Sequence, residues 1–211
     1  MSERAYSFDL DGVIFGRIPL QTNAVIKKII HGDSSFSSPG EIPQFNRELA
    51  PRSTKISTRI KEGFQIGRRV KPGAREFIRL LHETDGDDIY GNTGRKFREN
   101  CLQYTRESLE KGGVLDYFTD LFMTPEGVSG VISKAQALEQ LSERYDYVTH
   151  FDDDASLVRK LSPRFPNIEF VLVQDLTSGI LFSEEEMLNY PNVRRIACLD
   201  ADSFMQFQEN W

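Results

Sequence analysis

Two places in this sequence put carboxylates where an apolar run ends. Tyr6-Ser-Phe-Asp-Leu-Asp-Gly-Val-Ile-Phe15 carries Asp9 and Asp11, two residues apart, followed by Gly12. Val148-Thr-His-Phe-Asp-Asp-Asp154 carries Asp152, Asp153 and Asp154. Clustered carboxylates repel, and each resists ionisation unless a cation sits among them. Mg²⁺ is the natural candidate, because it prefers oxygen ligands in a near-octahedral array. Taken alone, Asp-x-Asp is common. A helix amino-terminal cap explains one acid of the second run, Asp154 best, since Asp there favours the macrodipole. It does not explain three in a row, and strand-end acids at both places point to a shared metal site.

Two smaller features lie between these clusters. Ile89-Tyr-Gly-Asn-Thr-Gly-Arg95 reads as a strand running into a polar turn before a helix. The hydroxyl and free amides around Asn92, Thr93 and Gly94 can hold a phosphate oxygen there, and Arg95 could reach a substrate or cap. Lys134, in Ile132-Ser-Lys-Ala-Gln-Ala137, opens a helix, where a cation is mildly unfavourable unless something else requires it; a solvated lysine is the plain alternative. His150 reads as a hydrogen-bonded core histidine and His82 as a surface or capping residue.

The elements that must position these groups alternate along the chain. Short apolar runs at 5–8, 88–90, 121–123, 147–151, 170–173 and 196–199 read as strands. Amphipathic stretches separate them. Residues 72–83 open on Pro72 and keep Phe77, Leu80 and Leu81 on one face. A helix over 96–111 stops at Gly112-Gly113, another over 133–143 starts on Ser133 as cap, and a third covers 155–161. Such alternation predicts an α/β fold, a Rossmann-like parallel sheet with helices on both faces. In such sheets ligands bind at the carboxyl ends of the strands, where both acidic clusters fall.

One stretch breaks the rhythm. Between Phe15 and Val70 there is no convincing buried strand; helices are expected over 22–31 and 54–64, around a turn-rich tract at 32–40. The expected organisation is a core made of 1–16 and 71–211, with a small helical cap inserted over 17–70 after the first strand. Residues 16–71 hold eleven Lys/Arg against four acids, a net +7, and the whole chain is at −6, leaving −13 elsewhere. A basic segment on an acidic body can draw in anionic substrates; a solvated lysine-rich face is the plain alternative. Arg17, Arg52, Lys55 and Arg59 are its candidates for substrate contact.

The 211 residues make one mid-sized domain, or one domain with an insertion. With 39% hydrophobic and 27% charged residues, including 15 Phe and 7 Tyr, the chain can build a substantial core, which excludes global disorder. No apolar run approaches the roughly 20 residues that span a bilayer, and Met1-Ser-Glu-Arg-Ala-Tyr6 has no signal-peptide profile. Cys101 and Cys198 fall in apolar-periodic segments and read as core thiols rather than a disulfide. The expectation is a cytoplasmic protein, monomeric or homodimeric. Nucleic-acid binding would rest on the +7 segment alone, and the acidic body argues against it.

In order along the chain, these pieces resemble the haloacid dehalogenase (HAD) superfamily of phosphohydrolases. Its strand-ending Asp-x-Asp, strand-ending Thr or Ser, Lys and strand-ending acidic pair match Asp9/Asp11, Thr93, Lys134 and Asp152/Asp153. The resemblance spans about residues 5–160, and the 17–70 insertion stands where this superfamily often places a cap. It implies that Asp9 attacks phosphorus to form an aspartyl-phosphate while Asp11 acts as acid and then base. It further implies Mg²⁺ held by Asp9, the Asp11 carbonyl and Asp153, with Asp152 behind, and phosphoryl oxygens bound by Thr93 and Lys134. Gly91-Asn92 replaces the usual apolar residues before Thr93, so either Asn92 or Thr93 points inward; likewise Asp154 is an alternative to Asp153. A phosphomutase using the same aspartyl-phosphate, or a silent phosphate-binding module, fits the same residues.

Overall fold

A computed structural model describes residues 4–16, 68–85, 87–174 and 182–209 of the chain. The expected helices at 22–31 and 54–64, and with them nearly all of the expected cap, lie outside the described residues. The strands are β1 (Arg4–Phe8), β2 (Asp88–Lys96), β3 (Asp120–Thr124), β4 (Tyr147–Asp152), β5 (Ile168–Val173) and β6 (Val193–Ile196). The helices are α1 (Pro72–Asp85), α2 (Glu99–Lys111), α3 (Gly130–Arg144), α4 (Ala155–Leu161), α5 (Glu184–Met187) and α6 (Ala201–Glu209). All strand pairs are parallel and the order is β3-β2-β1-β4-β5-β6. This is the expected Rossmann-like α/β sheet. Its order reverses between β1 and β4, where open α/β sheets leave a crevice at the strands' carboxyl ends.

Period-2 alternation sends successive side chains of β1 to opposite faces. Tyr6 and Phe8 enter one core with Phe77 of α1, Phe151 of β4 and Phe204 and Phe207 of α6. Phe8 and Phe151 stack with centroids 4.4 Å apart, and Phe77 meets Phe151 edge-on at 5.6 Å. Burying one such ring stabilises by about 1.5–3 kcal/mol, so these rings hold β1 beside β4 and bring the two acidic strand ends together. Ala5 enters the second core with Leu138 and Leu141 of α3, Val158 of α4, Phe170 of β5 and Phe182. Phe182, Phe204 and Phe207 are all buried in these two cores.

The largest boundary differences from the sequence expectation fall in four elements. β2 continues through the supposed turn to Lys96, with a register shift between Thr93 and Lys96 against β3. Extended backbone there delays α2 to Glu99. The cap of α3 is Ser129, whose Oγ accepts from Ile132 N at 3.3 Å, so Ser133 lies inside the helix. β6 is Val193–Ile196, three residues earlier than expected, because Val193-Arg-Arg-Ile buries only its two ends at a sheet edge.

The chain leaves the core unit at Gly16 and re-enters it at Arg69. The two ends are tied: Phe15 bridges to Val70, Gly16 N donates to Arg69 O at 3.3 Å, and Lys71 N donates to Ile14 O at 2.9 Å. Among the described residues, neither Cys101 nor Cys198 is in a disulfide, and no helix is long and apolar enough to cross a membrane.

Candidate active site

Asp9 follows β1 directly, and its backbone N donates to Phe151 O at 2.8 Å, so the last rung of the sheet fixes it beside β4. Asp152 ends β4, and Lys134 stands in the first turns of α3, packed over that crevice. The three meet. Lys134 Nζ lies 2.9 Å from Asp9 Oδ1 and 2.6 Å from Asp152 Oδ2, with Asp9, Lys134 and Asp152 all buried. Burial alone would push the Lys134 ammonium down, but Asp152 and Asp9 outweigh it and hold it above the ordinary lysine range.

Burial pushes the Asp9 carboxyl well up, and Asp152, Asp11 and Asp153 add to this against the opposing pull of Lys134. Asp152 ends on the other side: burial raises it, yet Lys134 and His150 hold it below the usual carboxylate range. His150 Nε2 lies 3.3 Å from Asp152 Oδ2, and its Nδ1 is 3.0 Å from Ser7 Oγ. Burial keeps this imidazole below the ordinary histidine range. A carboxylate only accepts, so the neutral ring donates from Nε2 to Asp152. Asp154 N closes the set by donating to Asp152 Oδ1 at 2.8 Å. Asp154 itself caps α4, accepting from Ser156 N and Leu157 N.

Asp9, Asp152 and Asp153 each offer a carboxylate oxygen, and these three atoms lie within 4.8 Å of one another. Oxygens on opposite sides of a Mg²⁺ ion are about 4.2 Å apart at ordinary Mg–O distances. An all-oxygen donor set around an Asp9 that burial and three neighbouring acids press toward its neutral form suits a hard cation. The residues therefore fit the ion. Asp152 already accepts hydrogen bonds on both oxygens, whereas Asp153, part-exposed, lies against Gly12.

Gly12 has φ +99°, and a Cβ there would stand 2.0 Å from Asp153 Oδ2. Its carbonyl accepts from Lys71 Nζ at 2.5 Å, a contact that nothing local in the sequence signals. Gly12→Ala is expected to strain the backbone and displace Asp153 together. A loss of more than about 1 kcal/mol, read as a lower melting temperature, checks this; an unchanged value would show that the loop has room.

Asp11, its side chain 28% exposed, lies nearer the mouth. Arg95 Nε and Nη2 donate to its two oxygens at 2.9 and 2.7 Å. Arg95 is itself buried and engaged by Thr105, rather than standing open at the surface. In the second motif both candidates are buried. Thr93 Oγ1 accepts from Arg95 N at 3.2 Å, and Asn92 Nδ2 donates to Lys134 O at 3.4 Å. Asn92 Oδ1 has no hydrogen-bond partner. Gly94 borders open space, where backbone can approach a ligand. His82 is exposed near the end of α1, as expected from its position.

The sequence matches no protein-family profile and no curated protein. Solved structures do share the fold. A haloacid dehalogenase-like hydrolase family protein of Streptococcus pneumoniae superposes with a TM-score of 0.64 at 13% identity, over 100% of this chain and 99% of that one. An archaeal beta-phosphoglucomutase from Pyrococcus sp. strain ST 04 gives 0.63 at 13%, over 99% and 100%. Protein tyrosine kinase A of Mycobacterium tuberculosis gives 0.58 at 15%, over 98% of each chain. The described core thus has the haloacid dehalogenase-like fold, the class the four motifs resemble. At these identities the likeness is one of fold.

Proposed function

We propose that this protein is a Mg²⁺-dependent phosphatase that hydrolyses a small phosphomonoester, such as a nucleotide or sugar phosphate, through an aspartyl-phosphate. The observation that carries this reading is Lys134, buried between Asp9 and Asp152 at the sheet's switch point, with Asp153 beside them. Asp9 Oδ1 is held by Lys134, which leaves Oδ2 to attack phosphorus. As the new O–P bond forms, the bond to the leaving oxygen breaks and Asp11 delivers a proton to that oxygen. Water then attacks the aspartyl-phosphate, Asp11 takes the water's proton, and Asp9 is regenerated with release of phosphate.

Asp9, the Asp11 carbonyl and Asp153 would hold the Mg²⁺, with Asp152 bracing Lys134 and His150 behind them. Bound there, the ion offsets repulsion between an anionic nucleophile and an anionic substrate. Lys134 neutralises Asp9, and Thr93 with the backbone at Gly94 meets the phosphoryl oxygens. Thr93→Val is expected to slow turnover by about a hundredfold, the usual cost of one lost oxyanion donor, and Asn92→Ala by much less. The reverse order would make Asn92 the inward group.

The test is the initial rate on a generic aryl phosphate, in Mg²⁺ and in EDTA. Turnover that needs Mg²⁺ supports the reading, and turnover undiminished by EDTA overturns the metal's part in it. The fold shared with a beta-phosphoglucomutase favours one second reading, a phosphomutase with the same Asp9 chemistry. It would show slow net hydrolysis and require a bisphosphate activator. Cys101 and Cys198, neither of them in a disulfide, suit a reducing cytoplasm. The insertion at 17–70, basic by composition, is proposed as the cap that selects the substrate.

A further inference from the structure

Asp11 lies in the loop beyond β1, outside the ladder that fixes Asp9. A proton donor must hold its oxygen about 2.6–3.2 Å from the leaving oxygen, so something besides the loop backbone has to set that carboxylate. Arg95 meets the need from the neighbouring strand. Its Nε and Nη2 grip both Asp11 oxygens, and such a bidentate fork fixes the plane of a carboxylate as well as its position. The guanidinium is anchored in turn. Nη1 donates to Thr105 Oγ1 at 3.0 Å, and that hydroxyl donates to Cys101 O at 2.7 Å within α2. Phe15 supplies the remaining support, its ring centroid 4.7 Å from the Arg95 guanidinium carbon. Phe15 belongs to the same loop as Asp11 and is folded back by its N–H to Leu10 O at 2.7 Å.

We infer that Arg95 is the positioning residue for Asp11, transmitting the rigid geometry of β2 and α2 to the acid–base group. This rests on the phosphatase reading above. A lysine cannot replace the fork, because an ammonium is a point charge without planar bidentate geometry. The arrangement also explains why an arginine two residues beyond Thr93 is buried beside Asp11 and Thr105 instead of reaching outward.

A donor that stabilises a departing oxygen matters most when the leaving group is poor. The experiment measures kcat and KM for 4-nitrophenyl phosphate, phenyl phosphate and an alkyl phosphate, for wild type, Asp11→Asn, Arg95→Lys and Thr105→Val. Arg95→Lys is expected to lose kcat by about ten- to a hundredfold more on the alkyl than on the nitrophenyl ester, within the usual range for general acid catalysis. KM should stay within about threefold, as expected when the lost interaction is made only in the transition state. Thr105→Val, which removes only the anchor, should show the same ordering with a smaller loss, and it carries the test if Arg95→Lys does not fold.

An equal loss across the three esters, or a change confined to KM, would overturn the inference, the latter making Arg95 a direct substrate contact. The Asp11→Asn series separates the two levels. If that variant is sensitive to the leaving group and the Arg95 and Thr105 variants are not, only the positioning role fails. If Asp11→Asn is itself insensitive, or wild type turns over none of the esters, the acid–base reading of Asp11 fails and the inference with it.

Discussion

Asp9→Asn is expected to lower turnover at least about a thousandfold, the scale on which loss of a nucleophile acts, and to leave the fold intact. The amide matches the carboxylate in shape but cannot attack phosphorus. It also relieves some of the crowding with Asp152, Asp11 and Asp153 that now pushes the Asp9 carboxyl upward. Against this, Lys134 loses one of its two carboxylate partners and keeps Asp152. The two changes oppose each other, so the melting temperature should move little while the rate collapses. Residual activity above about a thousandth of wild type would remove Asp9 as nucleophile.

Lys134→Met should do the reverse in kind, striking stability as hard as rate. It leaves Asp9 and Asp152 buried and facing one another without their shared cation. Removing one partner from a buried ion pair typically costs about 3–5 kcal/mol. For a chain of this size that corresponds to a melting temperature lower by roughly 6–20 °C. Mg²⁺ should restore part of the loss, because a cation held by Asp9 and Asp153 takes over some of the missing charge. Combining Lys134→Met with Asp9→Asn should also restore stability, since only one charge is then stranded. Calorimetry with and without Mg²⁺ reads both effects. A Lys134→Met protein that melts with wild type would mean that Lys134 does not bridge the two acids.

Much of this site was legible because its signals are local. An apolar alternation that ends in Asp9 or Asp152 marks a strand's carboxyl end, and a parallel sheet brings such ends to one edge. The reading of 155–161 as a helix is met by α4, because Asp154 supplies its cap within the same few residues. His150 also sits as expected, in the core and hydrogen-bonded. Elsewhere, local signals competed. Gly91-Asn-Thr-Gly94 has turn composition, yet β1 pairs as far as Gly91, and pairing with β3 at Asn92, Thr93 and Lys96 carries β2 on to Lys96. Ser129 and Ser133 are both fit to cap a helix, and the backbone decides for Ser129. Val193-Arg-Arg-Ile196 hardly reads as a strand, but at an edge Arg194 reaches Glu169 while Arg195 donates to Phe182 O.

By itself, then, the sequence determined the alternating α/β plan and the candidate residues at the strand ends. Both follow from patterns that close within a single strand or helix. Only the tertiary structure decided which of those residues meet. Lys134 lies 18 positions from Asp152 and Arg95 lies 84 from Asp11, and no periodicity links positions so far apart. Their pairing depends on which strands become neighbours, and the packing of Phe8, Phe77 and Phe151 sets that. Burial then turned an ordinary lysine and two ordinary aspartates, Asp9 and Asp152, into a mutually dependent set, because charges withdrawn from water must find their partners within the protein.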